Sequence, residues 1–220
     1  MKPCDDRFVP NPASQLVAEY LQGLQLARSF GSFTAETTFY PQLSNLLNGV
    51  GKGLTPRVIF VAHPGSRGAG LPDGGLFPAA KKSQTEPLPN QRPERGVVEI
   101  KPPGESLQTL AQGEQVQRYL REYGLCLITN YHQFALVELE RGQPVLTEQY
   151  DLTRSAEDLW TLPAATLTER HGETLPDFLA RVMTRKVPLV KPKDVAELLA
   201  SYAREAGSVQ RIMSWRRSPV

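Results

Sequence analysis

Cysteine is scarce: Cys4 and Cys126 are the only two in the chain. Residues so far apart do not make a disulfide framework, and a zinc site needs more partners at closer spacing. Cys126 stands in an apolar run and is expected to be a small buried residue. The three histidines, His63, His132 and His171, share no ligand spacing, which excludes a histidine metal centre of the usual kind. No run approaches the roughly 18 consecutive apolar residues of a membrane span. The opening MKPCDDRFVP is acidic early and has no apolar stretch, so it is not read as a secretory signal. A soluble protein in a reducing cytoplasm, with no membrane partner, is the expectation. Charge of one sign is also in short supply. A formal net charge of +2 permits nucleic-acid binding without indicating it. Interleaved aromatics for stacking single strands are not evident; Trp160, Trp215 and Arg216-Arg217 are read as packing and a basic tail. Gly49-Val-Gly-Lys-Gly53 is not a Walker A loop, because glycine follows Lys52 where serine or threonine is required. The glycine-rich stretch 65–70 lacks the strand–loop–helix setting of a phosphate cradle. No methyltransferase motif and no internal repeat is found.

What is present is an ordinary globular composition, 40% hydrophobic and 22% charged. Apolar spacing predicts a helix over residues 12–27, capped by Asn11 or Ser14, and a second over 34–48. Thr34 would cap the second, Glu36 would lie in its first turn, and Gly49 and Gly51 would end it. Strands are predicted at 58–62, 71–77 and 96–101, the last stopped by Pro102-Pro103. Between the last two, residues 78–95 are polar and proline-rich and predict a long loop. A helix follows over 106–123, capped by Ser106, and then two apolar runs, 125–129 and 134–139, predict a hairpin. The order α-α-β-β-β-α-β-β makes an α/β domain with a mixed sheet over residues 1–150. Residues 151–220 predict short helices at 156–162, 175–185 and 194–206, a helical connector or appendage.

The informative pair is Leu71-Pro72-Asp73 with Val98-Glu99-Ile100-Lys101. Residues two apart on a strand share a face, so Glu99 and Lys101 project together while Ile100 points to the core. Two charges inside an apolar strand are costly unless paired or binding a ligand. With Asp73 on the neighbouring strand, its carboxylate, that of Glu99 and the Ile100 backbone carbonyl converge as a hard oxygen site for Mg²⁺, with Mn²⁺ as a substitute. Such a site suits phosphodiester hydrolysis, with Lys101 orienting the attacking water or helping to deprotonate it. The plainer reading is a Glu99–Lys101 salt bridge on a solvated strand with Asp73 in a turn. Lys81, Lys82, Arg92 and Arg95 in the long loop are candidate phosphate contacts, against a solvated insertion. His63, ending a strand near the presumed cleft, is weighed as a contact to DNA or water; His132 and His171 are read as surface residues.

LPDGGLF, a loop, and then GVVEIKPP resemble the PD-(D/E)xK nuclease superfamily. Gln115-Val-Gln-Arg-Tyr119 is similar to the Q-x-x-x-Y element of its RecB-like branches. TAETTFYPQLSNLLN and LITNYHQFALVEL resemble segments of the nuclease domains at the N-termini of single-chain restriction-modification enzymes. The resemblance covers residues 30–140. It implies a restriction-endonuclease-like αβββαβ core, with Asp73, Glu99, Lys101 and Gln115 catalytic, Glu36 as a further metal ligand, and Tyr119 contacting DNA. It implies double-stranded DNA as substrate, a defence role, and a methyltransferase or specificity domain or subunit as partner. The chain would then be a separately encoded nuclease or a piece of a longer enzyme, and double-strand cutting would call for a transient homodimer. Two other classes compete: a nuclease-fold DNA-binding or scaffold module that does not cut, and an unrelated α/β domain with a coincidental ExK strand. The last predicts Asp73 and Glu99 far apart or on different faces.

Overall fold

The computed structural model describes residues 11–30, 38–65, 69–79, 84–88 and 91–185. Six strands form one mixed sheet in the order β1-β2-β3-β4-β5-β6: Val58–Ala62, Gly74–Pro78, Val97–Ile100, Leu125–Thr129, Gln133–Glu140 and Gln143–Asp151. Only β3 and β4 run parallel; every other neighbouring pair is antiparallel. The result is an α/β fold built on a mixed sheet. Among the described residues seven helices flank the sheet: α1 Pro12–Ser29, α2 Tyr40–Lys52, α3 Leu107–Ala111, α4 Glu114–Tyr123, α5 Ala156–Thr161, α6 Ala164–His171 and α7 Thr174–Thr184.

Local chemistry accounts for most of these boundaries. Asn11 caps α1 by accepting from the Ala13 N–H, and Ser106 caps α3 by accepting from Thr109. The single helix predicted over 106–123 is two, because Gly113 takes an extended conformation that closes α3 and starts α4. The second predicted helix starts at Tyr40 and runs on to Lys52. Pro41 fits its first turn, where a missing N–H is harmless. Gly49 and Gly51 do not end it; they lie inside it, at close approaches. A Cβ on Gly51 would collide with the carbonyl oxygen of Val58, and one on Gly49 with the Leu16 side chain. Thr34 and Glu36 fall outside the described residues.

Strand alternation sorts the core into two layers. Val97, Cys126, Ile128, Ala135 and Val137 face α3 and α4, packing against Leu107, Ala111, Val116, Tyr119, Leu120 and Tyr123. Cys126 is fully buried there, as its apolar setting suggests. Helices α1 and α2 lie together, with α2 against β1. β1 is an edge strand, and Asn48 of α2 covers it by donating to the Phe60 carbonyl and accepting from the Phe60 N–H. One compact unit runs from Met1 to Lys186, so the expected boundary near residue 150 falls inside it. Helices α6 and α7 pack on α1 and α2, which is why the segment after Asp151 does not stand apart. Residues 186–220, including the helix expected at 194–206, Trp215 and Arg216-Arg217, lie outside the described residues.

Candidate active site

The site is built where β2 begins and β3 ends. β2 and β3 pair antiparallel with Gly74 opposite Val98, so one further step in register sets Asp73 opposite Glu99. Opposed residues of an antiparallel pair share a face. The ladder stops there. Where its continuation would need a backbone carbonyl, Asp73 Oδ2 accepts the Ile100 N–H at 2.8 Å. Asp73 Oδ1 accepts the Tyr40 hydroxyl at 2.8 Å, and the Asp73 carbonyl accepts the His63 N–H at 2.9 Å. One aspartate is thereby tied to β3, α2 and the end of β1.

Glu99 is 0% exposed. Its Oε1 meets Lys101 Nζ at 2.7 Å, and its Oε2 accepts from Gln115 Nε2 of α4 at 3.3 Å. The Lys101 side chain is 26% exposed, so one end of the pair reaches solvent and the other does not. The salt bridge of the plainer reading is therefore present, but β3 is buried along its whole length rather than solvated. Asp73 is also far from a detached turn. Both carboxylates act on the same neighbours: burial first, then Glu99 and Asp73, push the Cys126 thiol well above its ordinary range. Burial pushes the Tyr119 hydroxyl up to about 12; the Gln115 hydrogen bond opposes the rise, and Glu99 and Asp73 add to it.

Tyr119, expected at a DNA surface, is wholly buried. Its hydroxyl accepts from Gln115 Nε2 and donates to the Leu71 carbonyl, both at 2.8 Å. It braces the loop that carries Asp73. Arg92 is likewise turned inward, 3.5 Å from Glu122 and over the Tyr123 ring. Arg95 donates to the Thr184 and Arg185 carbonyls at the end of α7. Both cations make contacts within the fold in this structure. Lys81, Lys82 and Glu36 lie outside the described residues. His132 is buried, not on the surface, its Nδ1 bonded to Thr153, and burial lowers its pKa. His171 meets the Tyr150 hydroxyl at 2.7 Å. Trp160 packs on Phe39 with Arg28 above its ring.

Among the described residues no group of three His, Cys, Asp or Glu side chains is placed to hold a metal ion. The oxygen donors present are the two carboxylates and the Ile100 carbonyl. Its N–H points to Asp73, and in extended backbone the carbonyl of the same residue leaves the same edge. Mg²⁺ is commonly held by one or two carboxylates and keeps several waters, so this donor set fits it.

Sequence reasoning missed Tyr40 as part of the site, and weighed His63 there only as a contact to DNA or water, not as a partner of Asp73 and Tyr40. Pro41, which marks the first turn of α2, was the available signal for Tyr40 at that helix start. No signal in the sequence places either residue against Asp73.

No protein-family model and no curated protein matches the sequence. Among solved structures, a chain of the cryo-EM structure of a DrdV–DNA complex is similar, at 18% identity and a TM-score of 0.48. The match covers 73% of this chain and 98% of that one. No described helix is long and apolar enough to cross a membrane.

Proposed function

We propose that this chain is a Mg²⁺-dependent endonuclease domain that hydrolyses the phosphodiester backbone of duplex DNA. The observation that carries this reading is the meeting of Asp73 with the Glu99-Ile100-Lys101 strand end, through the Asp73–Ile100 hydrogen bond and the Glu99–Lys101 contact. An unrelated domain with a chance ExK strand has no reason to bring the aspartate to that place. A fully buried glutamate inside an apolar strand is also a costly group to keep for stability alone.

Asp73, Glu99 and the Ile100 carbonyl would hold the ion, with Mn²⁺ as a substitute. When bound, it lowers the pKa of a water and offsets charge on the phosphoryl oxygens. The remaining work falls to this chain's side chains. Gln115 fixes the rotation of the Glu99 carboxylate. Tyr119 and Tyr40 hold the Asp73 loop and carboxylate. Lys101, whose side chain reaches solvent at one end, orients the attacking water or donates to a phosphate oxygen as negative charge builds. Glu36 is kept as a further ligand, and Lys81 and Lys82 as phosphate contacts, on the family resemblance and loop chemistry alone. The same resemblance supports a restriction-modification role, with sequence choice supplied by a methyltransferase or specificity partner and double-strand cutting by a transient homodimer.

The test is nicking of supercoiled plasmid in Mg²⁺ at high protein concentration. Wild type should nick or linearise the plasmid, EDTA should abolish this, and Asp73→Ala and Lys101→Ala should each be inactive. Equal nicking by all three proteins would mean that the chemistry lies elsewhere. A wild type that binds DNA without cutting it would favour the scaffold module.

A further inference from the structure

His63 follows β1 with a left-handed backbone, φ 49°, which a non-glycine residue adopts only when something holds it there. What holds it is the Asp73 carbonyl, which accepts the His63 N–H. The side chain is exposed, and among the described residues neither ring nitrogen has a hydrogen-bond partner. The ring instead lies on Tyr40, with centroids 5.4 Å apart and planes inclined by 28°. Tyr40 is the residue whose hydroxyl donates to Asp73 Oδ1 at 2.8 Å. The three residues close a small circuit: Asp73 fixes the His63 backbone, the His63 ring covers the Tyr40 ring, and the Tyr40 hydroxyl fixes the Asp73 carboxylate.

We propose that His63 is a positioning residue, whose ring stacks on Tyr40 to keep the phenol hydroxyl against Asp73 and so sets the carboxylate's orientation toward a divalent cation. The proposal rests on the nuclease reading of the site. It needs a flat ring at position 63, not an imidazole, and it needs the Tyr40 hydroxyl. A purely structural histidine would instead be missed through lower stability, with the metal affinity of the folded protein unchanged.

The full chain separates these possibilities through three variants. Tyr40→Phe removes the hydroxyl and keeps the ring. His63→Asn removes the ring but retains a residue that tolerates left-handed backbone. His63→Phe retains a flat ring without nitrogens. Mn²⁺ affinity is read from the electron paramagnetic resonance of the free ion, with melting temperature in metal-free buffer and plasmid nicking measured alongside. Partners that orient a metal ligand usually change affinity at least about tenfold when lost. Tyr40→Phe and His63→Asn should therefore each bind Mn²⁺ about tenfold more weakly, and His63→Phe within about twofold of wild type. His63→Asn should melt where wild type does. The inference is overturned if His63→Asn binds Mn²⁺ as tightly as wild type, or if His63→Phe loses as much as His63→Asn. The affinity series decides the positioning role whether or not the plasmid is nicked, so the two readings fail separately. A wild type that binds no Mn²⁺ overturns both.

Discussion

Tyr119→Phe is the sharpest perturbation the site offers, because it removes one oxygen and leaves the packing of a fully buried ring unchanged. Two hydrogen bonds go with that oxygen, from Gln115 and to the Leu71 carbonyl. Gln115 retains its bond to Glu99, so the group stranded is the Leu71 carbonyl. A buried acceptor left unsatisfied costs about 1–3 kcal/mol. Leu71 is 63% exposed, so water has a route to its carbonyl, and the lower half of that range applies. In a unit of this size about 1–2 kcal/mol corresponds to a fall in Tm of roughly 3–6 °C. The functional loss should be larger than the stability loss. Leu71 is two residues from Asp73, and a displacement on the order of 1 Å at a reacting group can cost about a hundredfold in rate. Tyr20→Phe is the matched control: its buried hydroxyl donates from α1 to the Tyr131 carbonyl at 2.7 Å and to neither carboxylate. Single-turnover cleavage well below both melting temperatures should fall about ten- to a hundredfold in Tyr119→Phe and stay near wild type in Tyr20→Phe, with similar Tm losses. Equal rates in the two variants, or an unchanged Tm in Tyr119→Phe, would refute the bracing role.

Gly51→Ala opposes two effects of known size. Helix propensity favours alanine by about 1 kcal/mol, but the new Cβ meets the Val58 carbonyl, where overpacking costs about 1–3 kcal/mol and backbone cannot turn aside. Urea unfolding should show net destabilisation; a stabilised variant would mean that α2 and β1 do not approach this closely. His132 is buried with its pKa lowered by desolvation. A histidine depressed in the folded state contributes stability that is present above its unfolded pKa and lost as pH falls below about 6.5. His132→Gln should therefore flatten the decline in Tm on acidification below that pH, and an undiminished slope would assign the decline elsewhere. Tyr119 titrates in the opposite sense: raised to about 12, it contributes stability that is full below about 10 and lost as pH rises toward 12. Tyr119→Phe should accordingly weaken the alkaline loss of stability.

The elements most legible in the sequence were those with strong apolar runs between breakers. β1 and β4 match their predicted bounds because VIFVA and LCLIT are short, largely apolar runs whose residues are mostly buried. β6 was missed for the opposite reason: Gln143–Asp151 is an edge strand with few buried positions, and its pattern carries little hydrophobic period. α6 was missed because it is short and polar, with one buried leucine, Leu167. Strand alternation correctly paired Glu99 with Lys101, since that relation is local. Local pattern does not encode burial depth, so Tyr119, Arg92 and His132 were all placed nearer to solvent than they are. Tyr40 reaches Asp73 through the packing of α2 against β1, and His63 through the pairing of β1 with β2, neither of which a linear reading supplies.

The proposed site has Asp73 and Glu99 together holding one divalent cation. Anomalous diffraction from a crystal of the chain soaked in Mn²⁺ tests it most directly. A single strong peak is expected within bonding distance of carboxylate oxygens from both Asp73 and Glu99. A crystal with no peak between them, with Lys101 still seated on Glu99 at saturating Mn²⁺, would contradict it.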